Sequence, residues 1–409
     1  MLLWYAVVYK PAFKQRILKL IIQNLNRYMP ERHYIKKRIG QSYLVWFQKS
    51  NLYLQLEEPA WFVFMKTTKR YKVETIAREF AFRYSVTPDE SFTFVKDIRS
   101  EIEKMNQPDN SWNKINEFSA ELNEYIFKPF YIHRYKFGNK LLAFSYESRL
   151  LEYYIHPLIG HFKTTEENTE IPLFELFSYQ ELIVFRFNGV VRGMWAKDET
   201  NLVKGLIFRF MINVIHDKTD ADWLMTVHAS AITNGKKTIL FSAPPNHGKT
   251  TIAALLQDRG YKLISDDFVP IDRNSFHAYP FPIAMSVKQT SMDLLASIFP
   301  ALEQKTLNYI SPEKSVRYLP PNDSFEIMNH IFPVQEFIFI EYNKSVDFKL
   351  EKLDPLKAIK SLLDQVWVIP TKDNVAVLFD RILQISFYRL TYSNNQKALE
   401  AITNLFDHD

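Results

Sequence analysis

Residues 243–250 (APPNHGKT) hold the chain's densest chemistry. An apolar run, KTILFS, precedes them, and a helical pattern, TIAALLQDR, comes after them at 251–259. A loop joining a strand to a helix offers unpaired backbone N–H groups and the positive end of the helix dipole to an anion. In that setting Gly248 lets backbone approach a phosphate closely, Lys249 reaches its β and γ oxygens, and the Thr250 hydroxyl ligates magnesium. Ala243 stands where the pattern usually begins with glycine, and Pro244 and Pro245 stiffen the loop. Asn246, His247 and Thr251 complete the expected phosphate-contacting set. The next apolar strand, YKLIS, runs into Asp266 and Asp267, at the carboxyl end where ligands of open α/β sheets gather. One carboxylate of such a pair can contact magnesium while the other takes the proton of an attacking hydroxyl. The plainer alternative is a pair capping the turn at 268–272. His228, about fifteen residues before the loop on an expected strand, is either a core histidine or an orienting partner of these groups.

The elements that must position these residues are legible in the surrounding pattern. Residues 43–56 read as two short strands around a turn at 49–51, and helical patterns succeed them at 59–67, 73–83 and 88–105. The polar stretch NQPDN at 106–110 reads as a linker. Beyond it, 131–147 alternates, 181–194 reads as two strands around Asn188–Gly189, and 199–215 fits a helix. Residues 223–230 start another strand pair, 336–341 and 375–383 read as strands, and 355–366 and 395–406 read as helices. The fold class expected is multidomain, α/β and α+β.

Composition bounds the function. With no cysteine in 409 residues, disulfides, thiol catalysis and cysteine-held metals are excluded. The histidines outside the loop region show no metal-binding spacing along the chain. The apolar opening is only nine residues long, and no apolar run approaches 18, so neither a signal peptide nor a membrane span is expected and the cytoplasm is the expected compartment. Charge is uneven: residues 1–50 carry ten Lys or Arg and one Glu, within a net charge of +5 for the chain. Residues 14–29 put Ile17, Leu18, Ile21, Ile22 and Leu25 on one helical face with basic residues opposite. This 1–30 extension either packs on the next domain or meets an anionic partner; nucleic acid is not the expected one. Glycine is scarce, nine in all, yet Gly235, Gly248 and Gly260 frame the strand–loop–helix unit and none comes later.

His228, APPNHGKT, GYKLISDD at 260–267 and the proline-flanked YPFPIAMSV at 279–287 together resemble the HPr kinase/phosphorylase superfamily, especially its diverged members associated with peptide modification. The resemblance is tightest over 225–290 and looser over 120–409, where it implies a strand-rich part at about 125–220 and a nucleotide-binding core at about 221–409. It implies Lys249 as the phosphate-contacting lysine, Thr250 as a magnesium ligand, Asp266 as the catalytic carboxylate with His228 its neighbour, and Asp267 as a holder of the metal site. Bifunctional members carry a Glu and an Arg in a glycine-containing signature after the aspartate pair; 285–287 has neither, so phosphorolysis is not implied. Lys288, Lys314 and Arg317 are candidates to neutralise phosphate charge, or else a solvated cationic face.

The 31–107 region resembles PqqD-like peptide-recognition domains, small winged-helix modules, on LQLEEPAWFVF, YKVETIAREFAFRYSV and the helix after them. Such modules take an extended peptide against a strand edge. That implies Tyr43, Val45 and Phe47 on the edge, with Arg78 or Arg83 near the groove. The combined expectation is a kinase dependent on ATP and Mg²⁺ that phosphorylates a hydroxyl, most simply serine, of a peptide or small protein such as a precursor leader. Related kinases are often oligomers, so a homo-oligomer is a further expectation. Two alternatives stand beside it: a nucleotide-gated module that hands over a peptide without modifying it, and a kinase of a free small molecule.

Overall fold

The computed structural model describes residues 6–9, 34–107, 121–168, 170–244, 246–311 and 314–407. The basic helix expected at 14–29 and most of the 106–110 linker lie outside them, as does Pro245. The chain divides into two compact units. One holds the described residues up to 107 together with Pro355–Leu383; the other runs from 121 to Asp354 and resumes at Gln384. A division by chain order alone leaves Pro355–Leu383 with the second unit.

In the first unit, β1 (Ala6–Tyr9), β2 (Tyr34–Ile39), β3 (Ser42–Phe47) and β4 (Leu52–Leu56) form an antiparallel sheet in the order β1-β4-β3-β2. The expected two-strand pair is therefore the centre of a four-stranded sheet. The basic run YIKKRI hides β2, because only one of its side chains, Ile39, is buried. Three helices come next: α1 (Glu58–Thr68), α2 (Val73–Tyr84) and α3 (Pro88–Met105). Pro59 sits in the first turn of α1, where its missing N–H costs nothing. Thr87 and Glu90 close a capping box at the start of α3. Val45, Phe47, Leu54 and Leu56 pack with Val63, Phe64, Phe80 and Ile98 in one core.

The other face of β3 and β4 is buried as well, which explains why SYLVWF is an unbroken apolar run rather than an alternating one. Tyr53 meets Phe379 edge-on with ring centroids 6.1 Å apart, and Lys37 pairs with Asp380. Both partners lie on the helix Lys372–Ile382, where the sequence pattern of 375–383 suggests a strand. The run NVAVLFDRI fits either period over so short a stretch. Burial of Val375, Leu378, Phe379 and Ile382, together with a Thr371 cap, makes it a helix.

After one helical turn at Glu121–Glu124, the second unit continues with β5 (Tyr131–Phe137), β6 (Lys140–Tyr146) and α4 (Arg149–Ile159). Next come β7 (Leu173–Tyr179), β8 (Leu182–Phe187), β9 (Val190–Ala196) and α5 (Thr200–Ile215). These strands order β9-β8-β7-β6-β5, with the short strand Lys163–Thr164 beyond β5. Within the sheet, Arg186 and Glu175 face each other across β8 and β7 and form a buried two-pronged pair, both bonds 2.7 Å. Arg186 also donates to the carbonyls of Leu122, Asn123 and Tyr125. Truncating the arginine strands a buried carboxylate and three carbonyls. Arg186→Ala is therefore expected to destabilise the fold by about 3–5 kcal/mol, read as a lower urea midpoint with unchanged slope.

A second sheet carries the core of this unit. It contains β10 (Ser230–Thr233), β11 (Thr238–Ser242), β12 (Lys262–Asp266), β14 (Phe332–Tyr342) and β15 (Ser386–Tyr392), with α6 (Lys249–Asp258) after β11 and the strand β13 (Met285–Lys288) in a neighbouring small sheet. The order is β12-β10-β11-β14-β15; β11, β14 and β15 run parallel, while β10 is antiparallel to β11 and β12. Ile239 and Phe241 of β11, Ile252 and Leu256 of α6, Ile338 of β14 and Leu390 of β15 share one core with the helix Asn395–Asp407. That packing fixes the ends of β11 and β12 beside the start of α6. Among the described residues, no helix is long and apolar enough to cross a membrane.

Candidate functional site

All five residues of β11 are buried, so the chain must leave the sheet at Ser242 and turn before α6 begins. Gly248 makes that entry, with φ at +92°, and directly precedes Lys249, the first residue of α6. A side chain there is doubly opposed: the backbone lies in the left-handed region, and a Cβ would sit 2.7 Å from the Tyr392 hydroxyl. Gly248→Ala is expected to lower stability by about 1–2 kcal/mol, visible as a reduced melting temperature. Asn246 has φ of +71°, tolerable for asparagine, and its side-chain oxygen accepts from Lys288 Nζ of β13 at 2.8 Å.

Lys249 is buried and lies between two carboxylates. It pairs closely with Asp267 and stands 3.5 Å from Asp266 Oδ1. Thr250 donates to Asp266 Oδ2 at 3.2 Å, and Ser230 of β10 donates to Asp266 Oδ1. The start of α6 and the facing ends of β10 and β12 thus converge through Asp266, which is 1% exposed. Burial is the main influence on its acidity and raises its pKa; Lys249 opposes this and Asp267 reinforces it.

Asp267 behaves differently. Its side chain is 44% exposed, and although burial works to raise its pKa, the Lys249 ammonium and the neighbouring His228 and Lys288 hold it well below the usual carboxylate range. Burial alone would likewise lower the Lys249 pKa, but the two carboxylates more than reverse that. Asp267 itself takes φ of +70°, strained for a residue with a side chain, with its N–H held by the Ala229 carbonyl at 2.9 Å. His228 Nδ1 lies 3.2 Å from the Asp267 carbonyl oxygen and 4.0 Å from its carboxylate. Burial, and next the Lys249 charge, lower the His228 pKa and favour the neutral ring, which donates Nδ1–H to that carbonyl.

Lys249, Thr250, Asp267 and His228 open onto a cavity of about 790 Å³, whereas the buried Asp266 and Ser230 are not in its wall. Ala243, Pro244, Asn246, His247, Gly248, Lys249, Thr250 and Thr251 line one side, with Asp267 and His228 beside them. Lys204 of α5, Lys288 of β13 and Lys314 also line the cavity. Burial, then the Lys314 charge, brings the Lys204 pKa down to about 8, and burial foremost lowers that of Lys288. Thr251 is tied by its hydroxyl to Ser291 at 2.8 Å.

Most of the residues singled out by sequence therefore come together. Others do not. Arg317 donates to the Lys305 carbonyl and is not in the cavity wall. In the first unit β3 lies between β2 and β4, so Tyr43, Val45 and Phe47 are not on an edge. Val45 and Phe47 are buried, and Tyr43 stacks on Trp61 at 3.9 Å. Arg78 is exposed, whereas Arg83 pairs with Glu58 at 2.7 Å. Sequence reading misses Ser230 and Lys204. No motif marks either; each reaches the site only because the sheet places β10 beside β12 and α5 brings Lys204 to the cavity wall.

No protein-family model matches the chain, and no curated protein matches it. Among solved structures, it is similar to the HPr(Ser) kinase/phosphatase from Coxiella burnetii at 12% identity, over 44% of this chain and 89% of that one, with a TM-score of 0.21. At that score the likeness carries no argument about chemistry, which rests on the site's own residues.

Proposed function

We propose that this protein is a phosphotransferase dependent on ATP and Mg²⁺ that transfers the γ-phosphate to a hydroxyl, most simply serine, of a peptide or small protein. One observation carries the reading: a buried lysine at the start of α6 pairs with two strand-end carboxylates, one of which also accepts from a threonine hydroxyl, beside a lysine-lined cavity. The oxygen donors of Thr250, Asp266 and Asp267 suit a magnesium ion, which prefers hard oxygen ligands. Thr250 and Asp267 would hold it. When bound, the ion supplies neutralisation of charge on the phosphate oxygens.

The chain's own residues do the rest. Backbone N–H groups around Gly248 and the first turn of α6 bind the β-phosphate side of the chain of phosphates. Lys249 releases its hold on the carboxylates and pairs with the transferred group, with Lys288 and Lys314 on the cavity wall. Asp266, whose burial raises its proton affinity, accepts the acceptor hydroxyl's proton. The hydroxyl oxygen forms a bond to the γ-phosphorus as the bond to the bridging oxygen of ADP breaks. His228 steadies the Asp267 backbone and keeps that carboxylate turned to Lys249.

The first unit is the recruiting module in this account. Because β3 is interior, an added peptide strand pairs with the terminal strand β2 instead. A groove of about 860 Å³ beside it, lined by Tyr34, Lys36, Met65, Arg99 and Glu103, supplies room for side chains. The test is mass analysis of short peptides encoded beside the gene after incubation with Mg-ATP and the whole chain. One added phosphate supports the proposal; unchanged peptide together with nucleotide-dependent capture supports the handover alternative instead.

A further inference from the structure

A second constellation in the same unit has no part in that chemistry. His133 lies on β5, and Glu152 and His156 lie four residues apart on one face of α4. His133 Nε2 is 3.0 Å from Glu152 Oε1, and His156 Nε2 is 3.9 Å from the same oxygen. One ligand atom from each residue falls within 4.8 Å of the other two. Donors around a tetrahedral ion with bonds of 2.0–2.1 Å stand about 3.3 Å apart, so small side-chain rotations close the set.

Two further features suit metal ligation. The buried Tyr135 hydroxyl lies 2.8 Å from His156 Nδ1, leaving Nε2 to face the carboxylate; such an outer partner fixes the tautomer of a ligating imidazole. Gly160 leaves room for the His156 ring, since a Cβ at that position would stand 3.1 Å from its Cε1. The donor set, two imidazoles and one carboxylate, suits zinc and similar transition ions far better than magnesium.

We propose that His133, Glu152 and His156 bind one zinc-class divalent cation that ties β5 to α4. Three protein donors leave at least one coordination position for water. The clamp also reaches the first site mechanically. Leu158, two residues beyond His156, lines the phosphate-facing cavity, and its carbonyl accepts from Ala284 N–H at 2.8 Å. The ion would thus steady a wall of that cavity without entering it.

Titration of the metal-stripped full-length chain with Zn²⁺ against a chelating dye tests this, alongside Co²⁺ as a visible-absorption probe. One tightly bound equivalent is expected, unaffected by excess Mg²⁺, with cobalt bands in the visible and a melting temperature raised by several degrees. His156→Ala and Glu152→Gln should each weaken binding at least tenfold. The glutamine keeps an acceptor for His133, so folding of that variant, checked by circular dichroism, isolates the loss of the ligand charge. Absence of a stoichiometric zinc site in the wild-type chain, or undiminished binding in the folded Glu152→Gln variant, overturns the assignment.

Discussion

Lys249→Ala is expected to reduce phosphate transfer from ATP by at least about a thousandfold. The cation is already buried between Asp266 and Asp267, so its desolvation is complete before substrate arrives. In the proposed reaction that charge passes from the carboxylates to the phosphate chain, where it offsets the negative charge growing on the leaving ADP oxygen as the transferred group loosens. Alanine removes the charge and also leaves two carboxylates facing each other without their counter-ion, so Asp266 should hold its proton to a higher pH. Both effects depress turnover. A melting curve beside the rate measurement separates loss of chemistry from loss of fold, and Lys249→Met, which keeps most of the side-chain volume, should show the same loss of rate.

Asp266→Asn is expected to lower kcat by about 10²–10⁴ with little change in the KM for ATP. Asparagine retains an oxygen that can accept from Ser230 or Thr250, so the geometry at the end of β12 is largely kept while the proposed proton acceptor is lost. The pH profile gives an independent reading. A base works ionised, so the rate should rise with pH as Asp266 loses its proton, at a pH above the ordinary aspartate range because burial raises its pKa. Asp267, held low by Lys249, stays ionised across that window. The acid limb should be absent from the residual activity of Asp266→Asn.

Local signals serve well where one element's chemistry decides its own shape. Pro88–Met105 is read to the residue, because a threonine cap, a first-turn proline and a helical stripe agree. The strand–loop–helix around Gly248 is similarly explicit, since backbone, lysine and hydroxyl all succeed one another along the chain. What sequence order hides is lateral. The strand β2 is invisible because its lysines and arginine carry no apolar alternation, and its existence moves the sheet edge away from Tyr43, Val45 and Phe47. The helix Lys372–Ile382 passes for a strand because its buried face comes from covering Tyr53, more than 300 residues earlier. His133 and His156 show no metal spacing along the chain, yet β5 and α4 bring their rings to 4.7 Å. Tertiary contact decides each of these cases, and no window along the sequence contains it.

On the proposed function, the site around Lys249 and Asp266 moves a phosphoryl group onto a peptide hydroxyl. Incubation of the full chain, Mg²⁺ and the peptides encoded beside its gene with ATP labelled at the γ or the α position tests it most directly. The expected result is label on a peptide serine from the γ position alone, one ADP formed per phosphate incorporated, and none in Lys249→Ala. Hydrolysis that sends all γ label to inorganic phosphate while the peptides stay unlabelled would contradict it.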